Sequence, residues 1–250
     1  MNKTASLLII GNEILSGKTQ DKNLNYIAKK LANMGIVFSE ARVVPDIEKE
    51  IIFAVNELRK KFDYVFTTGG IGPTHDDITT ECISKAFGLK MICHPEAKKK
   101  LEEYYKDRPG TLNEARLRMA DTPEGATLIE NPLTSAPGYK IENVFVLAGI
   151  PSIMQVMFDY ASQFLEGGVK ISSRSVSCNL IEGDIAAPLT DIQNKYPNTE
   201  IGSYPFIHQG KYAVTLVVRT TDISAMNNAA DEIVDMIKAK NGIIIEDISE

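Results

Sequence analysis

"TTGGIGPTHDDIT", residues 67–79, decides how the rest of the chain is read. Three glycines, a proline, a histidine and two adjacent aspartates crowd one short segment. The apolar run "DYVFTT" (63–68) leads into it, and a helix-like run beginning "TTECISKAFG" leads out. Glycine lets backbone N–H groups approach a phosphate closely, and the start of a helix adds positive potential there. Asp76 and Asp77 would repel that phosphate unless something positive lies between them.

Working outward, strand and helix patterns alternate. Upstream, "ASLLII" (5–10) reads as a buried strand broken by "GNEILSG". Leu24, Ile27, Ala28 and Leu31 then recur at helical spacing, and Gly35 can close that helix. "IVFSEARVV" (36–44) is a second strand ended by Pro45-Asp46. Residues 47–61 are helical, with Ile47, Ile51, Ala54, Val55 and Leu58 on one face. This order predicts a mostly parallel sheet covered on both faces. Downstream the rhythm loosens. "LKMI" reads as a short strand, "PEAKKKLEEYYKD" and "LNEARLRMA" as helices, and "ATLIE" as a strand. "YKI" and "NVFVLAG" form a strand pair about a Glu142-Asn143 turn. Pro151 opens a helix to about Leu165, with Met154 and Met157 expected in the core. Gly167-Gly168 reads as a linker. Beyond it the order is strand-helix-strand-strand-helix-strand, the ferredoxin-like arrangement. The expected division is therefore 1–168 and 169–250.

The 250 residues are 44% hydrophobic and 24% charged, enough to build a sizeable core, and the formal net charge is −6. That balance argues against a nucleic-acid binder, whose footprint is usually basic. Three cysteines without metal-ligand spacing fit reduced thiols. No segment approaches the roughly 18 apolar residues of a membrane span. We expect a cytoplasmic protein with no nucleic-acid or membrane partner, assembling as a homo-oligomer, dimer or trimer.

Ligands of an open parallel sheet bind beyond the carboxyl ends of its strands. Three breaks lie at that edge, and they carry Glu13, Asp46, Asp76 and Asp77. On this reading the four carboxylates converge. Carboxylates beside a phosphate point to a hard cation, since Mg²⁺ takes one or two carboxylates plus phosphate oxygens and water. Helix capping competes, because Thr74-x-x-Asp77 fits a capping box. Two unit charges about 5 Å apart cost about 3 kcal/mol at an effective dielectric of 20, and one cap needs only one of them. His75, a loop histidine, reads as a polar bystander, and the lysines at 98–100 as a solvated helix face.

The loop resembles the signature of the MoaB/Mog (molybdopterin-binding) domain in the form found in the CinA (competence/damage-inducible protein A) family. "IGNEILSGKTQDKNLNYIAKKL", "VVPDIEKEI", "NPLTSAPG" and "LAGIPSIMQVM" resemble other segments of that family. "IGSYPF" and the tail resemble the small domain of short CinA-like proteins and of the pterin-binding half of some eukaryotic FAD synthases. Position 12 is Asn12 where many relatives have aspartate. The resemblance implies a three-layer α/β/α domain plus a small ferredoxin-like α+β domain. It implies that neither the deamidase domain of long CinA proteins nor the adenylyltransferase domain of FAD synthases lies within these residues.

For function, the resemblance implies a metal-dependent nucleotide pyrophosphatase acting on ADP-ribose, FAD or a related dinucleotide. Asp77 is the expected main ligand of a divalent metal (Mg, Mn or Co), with Asp76, Glu13 or Asp46 completing the shell or orienting water. Gly69, Gly70, Gly72 and Thr74 are expected to hold phosphate, and Asn131, Pro137, Gly138 and Gly149 to shape the far wall. The alternatives are a molybdopterin adenylyltransferase or insertase role in molybdenum-cofactor synthesis, and a non-catalytic pterin- or nucleotide-binding module.

Overall fold

The computed structural model describes residues 2–106, 108 and 110–249. The chain divides into two compact units, the first ending at Gly168 and the second beginning at Val169, with Asn33–Gly35 grouped with the second. The first runs β1 (Thr4–Ile10), α1 (Asn12–Leu15), α2 (Asn23–Asn33), β2 (Val37–Val44), α3 (Glu48–Lys61), β3 (Tyr64–Thr68), α4 (Thr79–Phe87), β4 (Met91–Cys93), α5 (Pro95–Lys106), α6 (Glu114–Leu117), β5 (Asp121–Pro123), β6 (Thr127–Ile129), β7 (Gly138–Ile141), β8 (Val144–Leu147) and α7 (Pro151–Ala161).

Six strands form one sheet in the order β2-β1-β3-β8-β7-β6. The first four are parallel, and β7 and β6 add an antiparallel edge. Side-chain alternation sorts the core into two layers, because successive strand residues face opposite sides. Leu8, Ile10, Val65, Val144 and Val146 pack with Ile51, Val55 and Leu58 of α3 and Ile83 of α4. On the other face Phe66 meets Phe145 and Phe158, each at a ring separation of 5.1 Å, and Phe158 belongs to α7. Tyr26 of α2 meets the same Phe158 edge-on at 6.2 Å. Met154 and Met157 are buried as expected. The result is the three-layer α/β/α domain. Glu142 takes a positive φ of 48° at the β7–β8 turn, where the dipeptide Glu142-Asn143 predicted one.

Two local readings need correction. "LNEARLRMA" is not one helix: α6 lasts one turn and gives way to a 3₁₀ turn at Arg118–Ala120. The "LKMI" strand is β4, shifted to Met91–Cys93, and it pairs antiparallel with β5, which the sequence reading missed. Three-residue strands are too short to show a period of two. The helix at 95–107 ends at Lys106, and Asp107 lies outside the described residues.

The second unit contains β9 (Ser172–Cys178), α8 (Glu182–Lys195), β10 (Glu200–His208), β11 (Lys211–Thr220), α9 (Ile223–Ala239) and β12 (Ile244–Ser249). Its antiparallel order, β10-β11-β9-β12, is the ferredoxin-like one. Val176, Val214, Leu216 and Val218 pack with Ile185, Ile192, Ile233 and Ile237 of the two helices. The β10–β11 hairpin turns on Gln209 and Gly210, both at positive φ (50° and 75°), as a two-residue turn of the primed kind requires.

Candidate functional site

The glycine loop begins where β3 ends. Gly69 sits at φ 104°, and a side chain there would collide with the Ile10 carbonyl of β1. Gly70, at φ 67°, leaves no room for a Cβ beside the Thr79 hydroxyl. That hydroxyl donates to the Gly69 carbonyl at 2.9 Å, and the Thr79 N–H donates to the Gly70 carbonyl at 3.0 Å. Thr79 thus pins the two ends of the loop together, and residues 71–78 bulge outward between them.

This closure splits the acidic residues that were expected to converge. Among the described residues, no group of three or more histidine, cysteine, aspartate or glutamate side chains is placed to hold a metal ion. Glu13 lines one cleft, with Asn23, Thr68, Gly69 and Gly149. Asp77 lines another, with Gly72, Thr80, Glu81, Arg118 and Asp121. Asp46 lies with the first break, where its carboxylate accepts from the Asn12 N–H at 2.8 Å at the start of α1. The glycine loop is the wall common to both clefts: Thr68 and Gly69 face one, Ile71, Gly72 and Asp77 the other.

Asp77 is half-buried and held in place. Its Oδ2 accepts from the Thr74 N–H at 2.8 Å and from the Thr74 hydroxyl at 2.6 Å. Oδ1 has no protein partner among the described residues. The same Thr74 hydroxyl lies 2.6 Å from Asp76 Oδ1. A threonine hydroxyl carries one hydrogen, so two carboxylates share one donor. The hydrogen bond from Thr74 holds the Asp76 carboxyl below the usual carboxylate range. The capping reading is corrected as well. Helix α4 begins after Ile78 with no side-chain cap. The Thr74–Asp77 box instead closes the turn before it, with the Asp77 N–H donating to the Thr74 carbonyl at 3.2 Å.

Arg118 and Asp121 were missed by the sequence reading. Arg118 reaches across to the loop and donates to the Thr74 carbonyl at 3.3 Å and the Asp77 carbonyl at 3.4 Å. Burial pushes the Asp121 carboxyl above its ordinary value, partly offset by the charge of Arg118. Both lie around the 3₁₀ turn that broke the expected helix, so no periodic signal marked them. Asn23 was missed too, although Asp21, whose Oδ1 accepts from the Leu24 N–H at 2.9 Å, marks that helix start.

The remaining expected residues divide. The Gly69 N–H is already engaged with the Leu147 carbonyl at 3.3 Å, whereas Gly70 and Gly72 make no such bond among the described residues. Gly149 packs against Gly69, where a Cβ would come within 3.2 Å of the Gly69 Cα. Asn131 is buried, and all its bonds serve its own loop. Its Nδ2 donates to Thr134 Oγ1 at 2.5 Å and the Ala136 carbonyl at 2.9 Å, while its Oδ1 accepts from the Leu133 and Thr134 N–H groups. Pro137 and Gly138 are buried, and a Cβ on Gly138 would strike the Val146 carbonyl. These three residues hold a loop together and are not among those lining the two clefts. No helix among the described residues is long and apolar enough to cross a membrane.

The family described as "Probable molybdopterin binding domain" matches residues 6–166, and "FAD synthase, middle domain" matches residues 170–245. Protein PAE0875 of Pyrobaculum aerophilum is 31% identical over 259 aligned positions, covering 97% of each chain. A CinA-like protein of Kosmotoga olearia is 37% identical over 161 residues, which are 63% of this chain but 39% of that one. The crystal structure of the protein CinA, of unknown function, from Thermoplasma acidophilum superposes with a TM-score of 0.60 at 32% identity. It covers 65% of this chain and 96% of its own.

Proposed function

This chain belongs to the MoaB/Mog family of molybdopterin-binding domains, with CinA-like homologues, and from that premise we propose that it is a nucleotide pyrophosphatase acting on ADP-ribose, FAD or a related dinucleotide. The observation that carries this reading is the pair of clefts on either side of one glycine loop. A ligand anchored there by phosphate would extend over the cleft on either side, as a dinucleotide requires. The match of residues 170–245 to a FAD synthase middle domain supports the same substrate class.

The N–H groups of Gly70 and Gly72 hold phosphate oxygens. The Arg118 guanidinium places positive charge beside the leaving phosphate, and its two bonds to the loop carbonyls keep Asp77 in position. The described residues form no closed cage for a metal, but an ion that takes one carboxylate plus phosphate oxygens and water would fit the Oδ1 of Asp77, which has no partner among them. When bound, a divalent cation there would polarise the phosphoryl oxygen and acidify its water. Asp76, on the exposed side of Thr74, would orient that water. Glu13 and Asp46, placed at the first break, have no part in this step.

Turnover of ADP-ribose and FAD, measured with excess chelator and again after adding Mg²⁺, Mn²⁺ or Co²⁺, tests the proposal. Activity should vanish and return. Full activity in chelator would remove the metal. A second reading, adenylyl transfer to molybdopterin or metal insertion, is favoured by the family description of residues 6–166. Tight molybdopterin binding without hydrolysis of either dinucleotide would establish it instead.

A further inference from the structure

An open sheet leaves two edge strands, whose unpaired N–H and C=O groups are a template for another chain. Among the described residues, all edges but one are blunted. β6, at one end of the six-stranded sheet, has three residues, as have β4 and β5. β10 carries Pro205, which has no N–H to offer, and β12 carries the exposed acids Glu246 and Asp247. β2 closes the other end of the six-stranded sheet with eight residues, "VFSEARVV", and has neither proline nor lysine. Its alternate residues Val37, Ser39, Ala41 and Val43 are exposed. One register shift against β1 falls at Ser39, and from Glu40 to Val44 the pairing is regular. The backbone of Val44 faces β1, since its carbonyl accepts from the Gly11 N–H at 3.2 Å. Successive residues turn their backbone groups to opposite edges, so Val43 and Ala41 direct theirs outward, where no strand of the described residues lies.

We propose that β2 is the seam of a two-fold dimer, in which β2 of a second copy of this chain adds antiparallel with Ala41 opposite Ala41. The charges on the strand select that register. Glu40 and Arg42 flank Ala41 and share the face turned to α3, where Arg42 Nε donates to Glu40 Oε1 and its Nη1 to Glu57, both at 2.5 Å. With Ala41 on the axis, each Glu40 lies opposite the Arg42 of the other copy, in the pair type that brings side chains closest. The two neighbouring registers that keep outward groups facing one another put Glu40 opposite Glu40, or Arg42 opposite Arg42. Like charges directly opposite are destabilising. On the other face Val43, 40% exposed, comes to lie opposite Ser39 beside the small Ala41. The strand is thus complementary to itself, as an isologous contact requires. The dimer does not depend on what the glycine loop binds.

Sedimentation and disulfide trapping of the full chain test the seam. The wild type should run at twice the chain's mass, and dilution should dissociate it. Ala41→Pro removes an N–H that β1 does not use. It should weaken self-association about tenfold or more while circular dichroism stays native, because two hydrogen bonds between the copies go at once. For trapping, the exposed free Cys93 is first replaced by serine. Ala41→Cys should then give a covalent dimer on mild oxidation, since residues opposite in a hydrogen-bonded pair have Cα atoms about 5.5 Å apart, within disulfide reach. Ser39→Cys should not, because the two Ser39 positions lie on either side of the axis, about 14 Å apart along the strands. A wild type that stays monomeric at its highest soluble concentration, or runs as a trimer, overturns the seam. So does an oligomer whose Ala41→Cys form fails to link, or whose Ser39→Cys form links as readily. A folded Ala41→Pro protein that associates like the wild type overturns it too. The cysteine pair decides where Ala41→Pro does not fold.

Discussion

Two loops of the first unit look alike in sequence and differ in what they do with their polar atoms. Residues 67–79 and 131–138 both follow a strand and mix proline, glycine and small polar residues. In the second loop Asn131 spends both ends of its amide on its own neighbours, four contacts in all. In the first, Asp77 is fixed through Oδ2 alone, and Oδ1 is left over. The lesson is that a polar residue marks chemistry when its hydrogen-bonding capacity exceeds what the local fold consumes. A residue whose capacity is used up is a staple, however suggestive its surroundings.

The largest effect expected from this contrast is on turnover. Asp77→Asn keeps an oxygen that can accept from Thr74, so melting should barely move, while dinucleotide hydrolysis should fall roughly 10²–10³-fold, the cost of losing one electrostatic element of the transition state. Asp76→Asn should cost less. An Asp77→Asn enzyme with near-native turnover would break the comparison at its first member.

Asn131→Ala should act the other way. It leaves two N–H groups and one carbonyl short of a buried partner, and destabilisation of roughly 2–4 kcal/mol is expected from denaturant unfolding. Turnover per folded molecule should stay near normal under conditions where the variant is folded. A stable Asn131→Ala protein with lost activity would mean that the staple is itself part of the site.

The smallest effect sharpens the idea of consumed capacity at a third position. Asp63 accepts from the Thr4 N–H at 2.8 Å, the Thr4 hydroxyl at 2.9 Å and Lys3 Nζ at 3.0 Å. The Thr4 backbone bond first, then Lys3, hold its carboxyl down at about 2. Because the folded value is depressed, this stability is present above the ordinary carboxylate value and is lost as pH falls through about 2. Asp63→Asn should therefore flatten the wild-type loss of melting temperature between about pH 4 and 2. An unchanged acid limb would show that solvent screens the contact, since the aspartate is about a third exposed.

Much of the architecture was legible because it is periodic. The alternation of strands and helices from β1 to α4 could be read along the chain, as could the buried methionines of α7. The order of the last six elements pointed directly to their sheet. The β4–β5 pair and the 3₁₀ turn at Arg118 were not legible, because neither spans enough residues to establish a period. At the site, the glycine loop and Asp77 stood out by composition alone. Arg118 and Asp121 did not, since an ordinary arginine and aspartate reach the loop only through chain folding.

The sequence by itself determined a two-part α/β chain, a glycine turn beyond β3 and a carboxylate pair beside it. These follow from rules acting within a few residues: side-chain alternation, helical spacing, and the inability of other residues to adopt the backbone of Gly69 and Gly70. Only the tertiary structure decided which carboxylates share a cleft. Glu13 and Asp77 were expected to converge because each follows a strand at the same edge, but strand order fixes an edge, not a side of a loop. Thr79 closes the loop on itself, and that closure sends Asp77 towards Arg118 while Glu13 stays with Asn23. Both the spare oxygen of Asp77 and the exhausted amide of Asn131 are outcomes of packing, which assigns each polar atom a partner or denies it one.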